Sequence, residues 1–252
     1  MSRIGLHSVA GQLQARGAEV WQAALSHPMV TAIGDGSLPH PIFRYYFEQN
    51  VCYLEEYARA IAHLAARLRP ELDLGVLTRF LDQIVNTELP ANRRFLARLG
   101  GALVSEGTAA VHPTNYAYTR HLLWCAAHGS NAEGLAALLP CQWSYGEIGQ
   151  MLSRRRPSDE IYADWIEMFA GEGYEDLVAA TADLLDEAAR LEEAQFDRLA
   201  TVFDRSTFYE VDFWTMAWSS PSATPADGST DGAVRAPQRM EADNPERKEE
   251  ER

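Results

Sequence analysis

Apolar positions along the chain recur at helical spacing, and glycine or proline marks nearly every place where the recurrence fails. In "VAGQLQARGAEVWQAALS", Leu13, Val20, Trp21 and Leu25 fall on helical intervals, and the pattern stops before His27-Pro28. His27, directly ahead of Pro28, is expected to cap or hydrogen-bond locally. The glycines of "GDGSLPH" predict a loop, after which Pro41 suits the opening turn of a helix. The Ala/Leu-rich run "IFRYYFEQNVCYLEEYARAIAHLAARLR" ends before Pro70. "ELDLGVLTRFLDQIVNTELPANRRFLARLG" gives a further helical region closed by Gly100 and Gly101. Pro113-Thr114 opens a segment that Gly129 ends, and "NAEGLAALLPCQWSYGEIGQMLSRRR" is the next. "SDEIYADWIEMFAG" starts on a Ser/Asp cap and ends on Gly171. The final amphipathic stretch, Tyr174 to Trp218, is expected to divide near Arg205-Ser206. No alternating strand pattern of any length occurs, so the pattern predicts an all-α bundle of about seven or more helices.

From Ser219 the composition shifts to Pro, Ser, Gly, Asp and Glu, with almost no large apolar residue. Such a segment buries too little surface to offset its ordering entropy. The expected organisation is a folded domain over 1–218 and a disordered tail over 219–252. With 46% hydrophobic residues the domain has ample material for a core. A formal net charge of -14 repels phosphate backbones and anionic lipid surfaces, so neither nucleic acid nor membrane is an expected partner. The opening residues show no apolar run of signal-peptide length, and no segment approaches about 20 uninterrupted apolar residues. The three cysteines, Cys52, Cys125 and Cys141, lie far apart in no CxxC pair, which argues against a thiol zinc site or a disulfide framework. A cytoplasmic protein is the expectation.

Cys141 follows Pro140 inside an apolar helical pattern. If Pro140 opens a new helix, the free N–H groups of the first turn would stabilise a thiolate. If Pro140 instead sits within a continuous helix, it releases a carbonyl one turn back, near Ala136. A small buried cysteine without chemistry fits either geometry. Polar and phenolic residues nevertheless interrupt several stripes that should be core. Asn50, Tyr53 and Tyr57 share one helical face, Tyr145 shares the face of Cys141, Tyr118 precedes Leu122 by one turn, and Glu210 is flanked by Phe213 and Trp214. Each aromatic alone is ordinary packing; a thiol, a carboxylate, an amide and several phenols together suggest a pocket for a flat polar ring. A di-iron site is disfavoured. Glu56 and His63 share a face, but no histidine follows His128, so the second half of the domain has none to offer.

The ordered blocks "HPMVTAIGDGSLP", "FRYYFEQN", "YLEEYAR", "HPTNYAYTRHLL", "LLPCQWSYGEIG", "IYADWIEMF" and "YEVDFWTMAW" resemble the TenA/Thi-4 family, the thiaminase II or aminopyrimidine aminohydrolase proteins, over His27 to Trp218. The resemblance implies a haem-oxygenase-like all-α fold without haem or other cofactor, a homotetramer, and a small pyrimidine-type substrate in thiamin salvage. It places Cys141 as the nucleophile that adds to the ring and Glu210 as the carboxylate that moves protons. It assigns Tyr53, Tyr118 and Tyr145 to the pocket wall. Two positions depart from the pattern. Asn50 stands where the family has an aspartate that grips the aminopyrimidine edge, and Phe169 stands where a tyrosine is common. The amide still donates and accepts but carries no proton at neutral pH, and Phe169 keeps a flat surface without the hydroxyl. An altered substrate preference, a pyrimidine-binding module without turnover, and a divergent enzyme of a specialised pathway are the alternatives that these changes leave open.

Overall fold

The computed structural model describes residues 3–101 and 111–220. Among them every regular element is helical: α1 (Val9–Arg16), α2 (Ala18–Leu25), α3 (Pro28–Asp35), α4 (His40–Ala66), α5 (Leu74–Asp82), a π-helical segment (Gln83–Glu88), α6 (Leu89–Arg98), α7 (Pro113–His128), α8 (Asn131–Leu152), α9 (Glu160–Ala170), α10 (Glu172–Leu191) and α11 (Phe196–Trp218). The all-α expectation is met. The tail expected from 219 onward lies outside the described residues from 221.

α8 is the axis of the bundle. A helix apolar on every side belongs in the interior, and almost all of α8 from Asn131 to Gly149 is buried. It packs against α2, α7, α9, α10 and α11. Its start is closed by a capping box, Ser130 Oγ accepting from the Glu133 N–H and Glu133 Oε2 accepting from the Ser130 N–H. Glu192 adds a second cap from a distance, accepting the N–H groups of Asn131 and Ala132 at 3.0 and 2.9 Å.

Several boundaries differ from the sequence expectation, each for a local reason. Gly17 divides the first segment into α1 and α2. His27 does cap, its Nδ1 accepting from the Met29 N–H, but it opens a helix, α3, that the apolar pattern alone did not mark. Gly36, at φ 76°, ends α3 in the left-handed region that favours glycine. The expected division at Arg205-Ser206 is absent: α11 runs unbroken through both residues. The chain turns instead at Glu192-Gln195, where Glu193 takes φ 48° and the Glu192 carboxylate is held by the N-terminus of α8. Ser206 does not interrupt its helix because its hydroxyl donates to the Ala137 carbonyl of α8, at 2.8 Å.

α8 continues through Pro140. Proline has no N–H for the Ala136 carbonyl, so the helix is locally short of a donor. The next two carbonyls receive hydroxyls from neighbouring helices, Ala137 from Ser206 of α11 and Leu138 from Tyr57 of α4 at 2.6 Å. These contacts tie α4, α8 and α11 together at one level, and Tyr53 and Glu210 sit one turn from the two donors.

α9 crosses α8 at Gly149, where an added Cβ would fall 2.7 Å from the backbone carbonyl carbon of Phe169. Backbone cannot retreat as a flexible side chain can, so the approach requires glycine. Gly149→Ala is expected to destabilise the fold by about 1–3 kcal/mol, a fall in Tm of about 2–4 °C per kcal/mol for a chain of this size. An unchanged thermal midpoint would show that α8 and α9 are not in this close contact.

Candidate active site

Four helices deliver the reactive groups. α8 carries Cys141, α11 carries Glu210, and α4 and α7 carry Tyr53 and Tyr118; all four are buried. The Cys141 thiol lies close enough to the Glu210 carboxylate for each to shift the acidity of the other, without a hydrogen bond of regular geometry between them. On the same carboxylate the Tyr118 hydroxyl donates to Oε1 at 2.5 Å. Tyr118 is supported from behind by Tyr209, stacked at 5.1 Å, and tilts against Tyr53 at 5.1 Å. The Tyr53 hydroxyl meets no partner at regular hydrogen-bond geometry, yet it lies near enough to the sulfur to favour a thiolate slightly, so this contact is long and weak.

The sequence left two positions for Cys141, and only one occurs. α8 begins at Asn131, so Cys141 lies in the middle of a helix and meets no free N–H groups of a first turn. A thiolate stabilised by a helix N-terminus is therefore excluded. Burial pushes the Cys141 thiol well above its ordinary value of 9.0, and the neighbouring Glu210 charge pushes it further. The resting group is a neutral thiol beside a carboxylate. Burial also raises Glu210, to about 7, against the opposing effects of Tyr118 and Cys141. A carboxylate that changes protonation near neutral pH, close beside a thiol, suits proton transfer.

The remaining expected residues form the wall. Tyr145 stacks on Trp214 at 5.3 Å, and its hydroxyl pairs with that of Tyr46 at 3.0 Å. Phe169 meets Tyr145 edge-on at 5.0 Å and Tyr174 at 5.3 Å. Asn50 is buried, and one N–H of its amide donates to Asn92 Oδ1 at 2.9 Å, while Asn92 donates to the Glu88 carbonyl at 2.8 Å. Asn50 thus joins the group through a neighbour and the shared face of α4, and it makes no hydrogen bond to Cys141 or Glu210.

Sequence reasoning missed Tyr46, Glu88, Asn92, Tyr174 and Tyr209. Glu88 carried a signal: it occupies the apolar stripe between Ile84 and Phe95, both buried, where the period calls for another apolar side chain. Metal chemistry finds no support in the pair weighed from the sequence. His63 is exposed, and Glu56 pairs with Arg59 and Arg120. Among the described residues no group of three or more His, Cys, Asp or Glu side chains is arranged to hold a metal ion.

The raised Glu210 makes stability depend on pH. The native state holds this proton more tightly than the unfolded chain, so its contribution is complete below about pH 4.5 and is lost as pH rises through about 7. Glu210→Gln removes that contribution. The stability difference between wild type and Glu210→Gln, measured by denaturant titration, is expected to decline steadily over this range; a constant difference would mean that Glu210 keeps an ordinary acidity.

Comparison with known proteins bears on the family and the fold. The profile of the TENA/THI-4/PQQC family matches residues 14–220. An aminopyrimidine aminohydrolase of Halalkalibacterium halodurans is 32% identical over 217 residues, 84% of this chain and 96% of that protein. One from Bacillus subtilis is 32% identical over 220 residues, 86% of this chain and 90% of that protein. Among solved structures, a TenA homologue from P. horikoshii OT3 superposes with a TM-score of 0.76 at 28% identity, covering 84% of this chain and 98% of that one. A domain from Shewanella denitrificans with a heme oxygenase-like fold reaches 0.61 at 15% identity, covering 86% of this chain and 93% of that one, which bears on the fold alone. No helix among the described residues is long and apolar enough to cross a membrane. The chain belongs to the TENA/THI-4/PQQC family.

Proposed function

We propose that this protein is a hydrolase acting on an aminopyrimidine, with Cys141 as nucleophile and Glu210 as the proton carrier. The observation that carries the reading is the buried pair itself: a thiol beside a carboxylate whose acidity lies near neutrality. A binding module needs neither group. The relatives named aminopyrimidine aminohydrolase support the same class of substrate.

The arrangement defines the steps. Glu210, when ionised, accepts the proton of Cys141 as the sulfur adds to an electron-poor ring carbon, so the thiolate forms only as the bond forms. Before addition, burial holds the group as a thiol, which keeps it from idle oxidation as a free thiolate. The added electron pair lets an amine leave from the adjacent aminomethyl arm, taking the proton that Glu210 holds. Water then adds to the arm, giving its proton to Glu210, and the sulfur departs to restore the aromatic ring, taking that proton back to become the thiol again. The sum is replacement of an amine by hydroxyl with release of ammonia. The Tyr118 hydroxyl holds the carboxylate in register through each transfer. Tyr53 and Tyr145 supply flat walls for the ring, and Phe169 supports Tyr145 from its edge.

Asn50 carries an amide where the family pattern has a carboxylate, which is the basis for expecting an altered preference. Purified protein is expected to release ammonia from 4-amino-5-aminomethyl-2-methylpyrimidine. Cys141→Ser should lower kcat by a factor on the order of 10³ or more, and Glu210→Gln by about 10²–10⁴. Ammonia release that survives Cys141→Ser would rule out the thiol mechanism. Asn50→Asp is expected to raise activity on this compound; no gain would clear Asn50 of responsibility for any shift in preference.

A further inference from the structure

Glu88 is the one buried carboxylate beside this site that the reaction does not use. It closes the π-helical segment, which changes the register of the helix ahead of Pro90: the Leu89 N–H reaches back to the Ile84 carbonyl, five residues away. Such segments often mark functional positions. The Glu88 side chain is 5% exposed, and its Oε1 has no hydrogen-bond partner among the described residues. An orphaned carboxyl oxygen in the interior is unfavourable unless something else fills the role of partner. Gln83 lies near enough to favour its charged form slightly, and among the described residues no cation acts on it. The groups that sense its charge are Cys141 on α8 and Tyr174 on α10, so it faces the interior that Cys141 and Glu210 line.

Its neighbours are also set out for polar recognition. Asn92 donates to the Glu88 carbonyl and accepts from Asn50, so an amide chain runs from α4 to the turn that bears Glu88. Asn50 has one N–H committed to this chain and no carboxyl to offer.

We propose that Glu88 is the side chain that reads the amino-substituted edge of the pyrimidine, pairing with the exocyclic amino group and the adjacent ring nitrogen, in the role that Asn50 has vacated. This assignment rests on the aminopyrimidine reading above. Burial raises Glu88 to about 8, so at neutral pH it is a neutral acid with one O–H and one acceptor oxygen. That is the complement of an amidine edge, which presents one acceptor nitrogen and one N–H donor. The ring would then lie between the α6 side, which orients it, and Cys141, which attacks it.

The test is calorimetric binding to full-length protein in a Cys141→Ser background, which stops turnover. The ligands are 4-amino-5-aminomethyl-2-methylpyrimidine and the analogue with hydrogen in place of the 4-amino group. The background protein is expected to prefer the amino compound by about 10- to 100-fold. Glu88→Leu should reduce that preference to less than about 3-fold. Glu88→Gln, whose amide presents the same donor and acceptor, should keep it. Glu88→Asp withdraws the carboxyl by one methylene, should also lose the preference, and serves if the leucine variant does not fold. Retention of the preference in Glu88→Leu or Glu88→Asp overturns the assignment while leaving the aminopyrimidine reading in place. Binding of neither compound by the background protein, with no ammonia release by wild type, overturns both.

Discussion

The missing N–H of Pro140 is the constraint on which the site depends. A proline inside the central helix leaves the backbone short of a donor at the level where three helices meet. Tyr57 and Ser206 bring hydroxyls to the adjacent carbonyls from opposite sides. Each donor sits one helical turn from a residue of the reactive group, so these contacts beside the proline also fix the height of Tyr53 and Glu210 relative to Cys141. A hydrogen bond between a hydroxyl and a buried carbonyl contributes only about 1 kcal/mol to stability. Its larger effect here is positional, because three elements distant in the chain are held in one register.

Burial then decides the chemistry. The same dry surroundings that raise the thiol of Cys141 also raise Glu210, and the two shifts have opposite uses. A thiol kept neutral is protected, while a carboxyl near 7 both accepts and releases protons under ordinary conditions. Neither residue has the property alone. Without the carboxylate the thiol has no base; without the thiol and the Tyr118 hydroxyl, which both favour the charged form, the carboxyl would rise further. Tyr46, Tyr145, Trp165 and Trp214 pack on one another in the same interior, and it is burial that sustains both shifts.

The fold was legible in the sequence because its signals are local. Apolar spacing, proline at helix starts and glycine at helix ends are properties of neighbouring residues, and the boundaries of α7 and α9 follow from them. The boundary at Arg205-Ser206 failed because a serine that might have broken a helix finds its partner in another one. Glu192, with nothing unusual about its own surroundings in the chain, became the real turning point by capping α8 from 60 residues away.

The amino-acid sequence by itself determined that the chain forms helices, that a thiol, a carboxylate and several phenols interrupt their apolar faces, and that the ordered blocks place it in a known family. It could not say whether Pro140 starts a helix or lies within one, since both conformations suit the same neighbours. Tertiary structure alone decided that question, and with it the state of Cys141 as a buried thiol beside Glu210. It also decided that Glu88, one acidic residue among many along the chain, is left with an unpartnered oxygen in the interior. The physical reason is the same in both cases: protonation and hydrogen bonding depend on which groups packing brings within a few ångströms, and spacing along one helix carries no record of that.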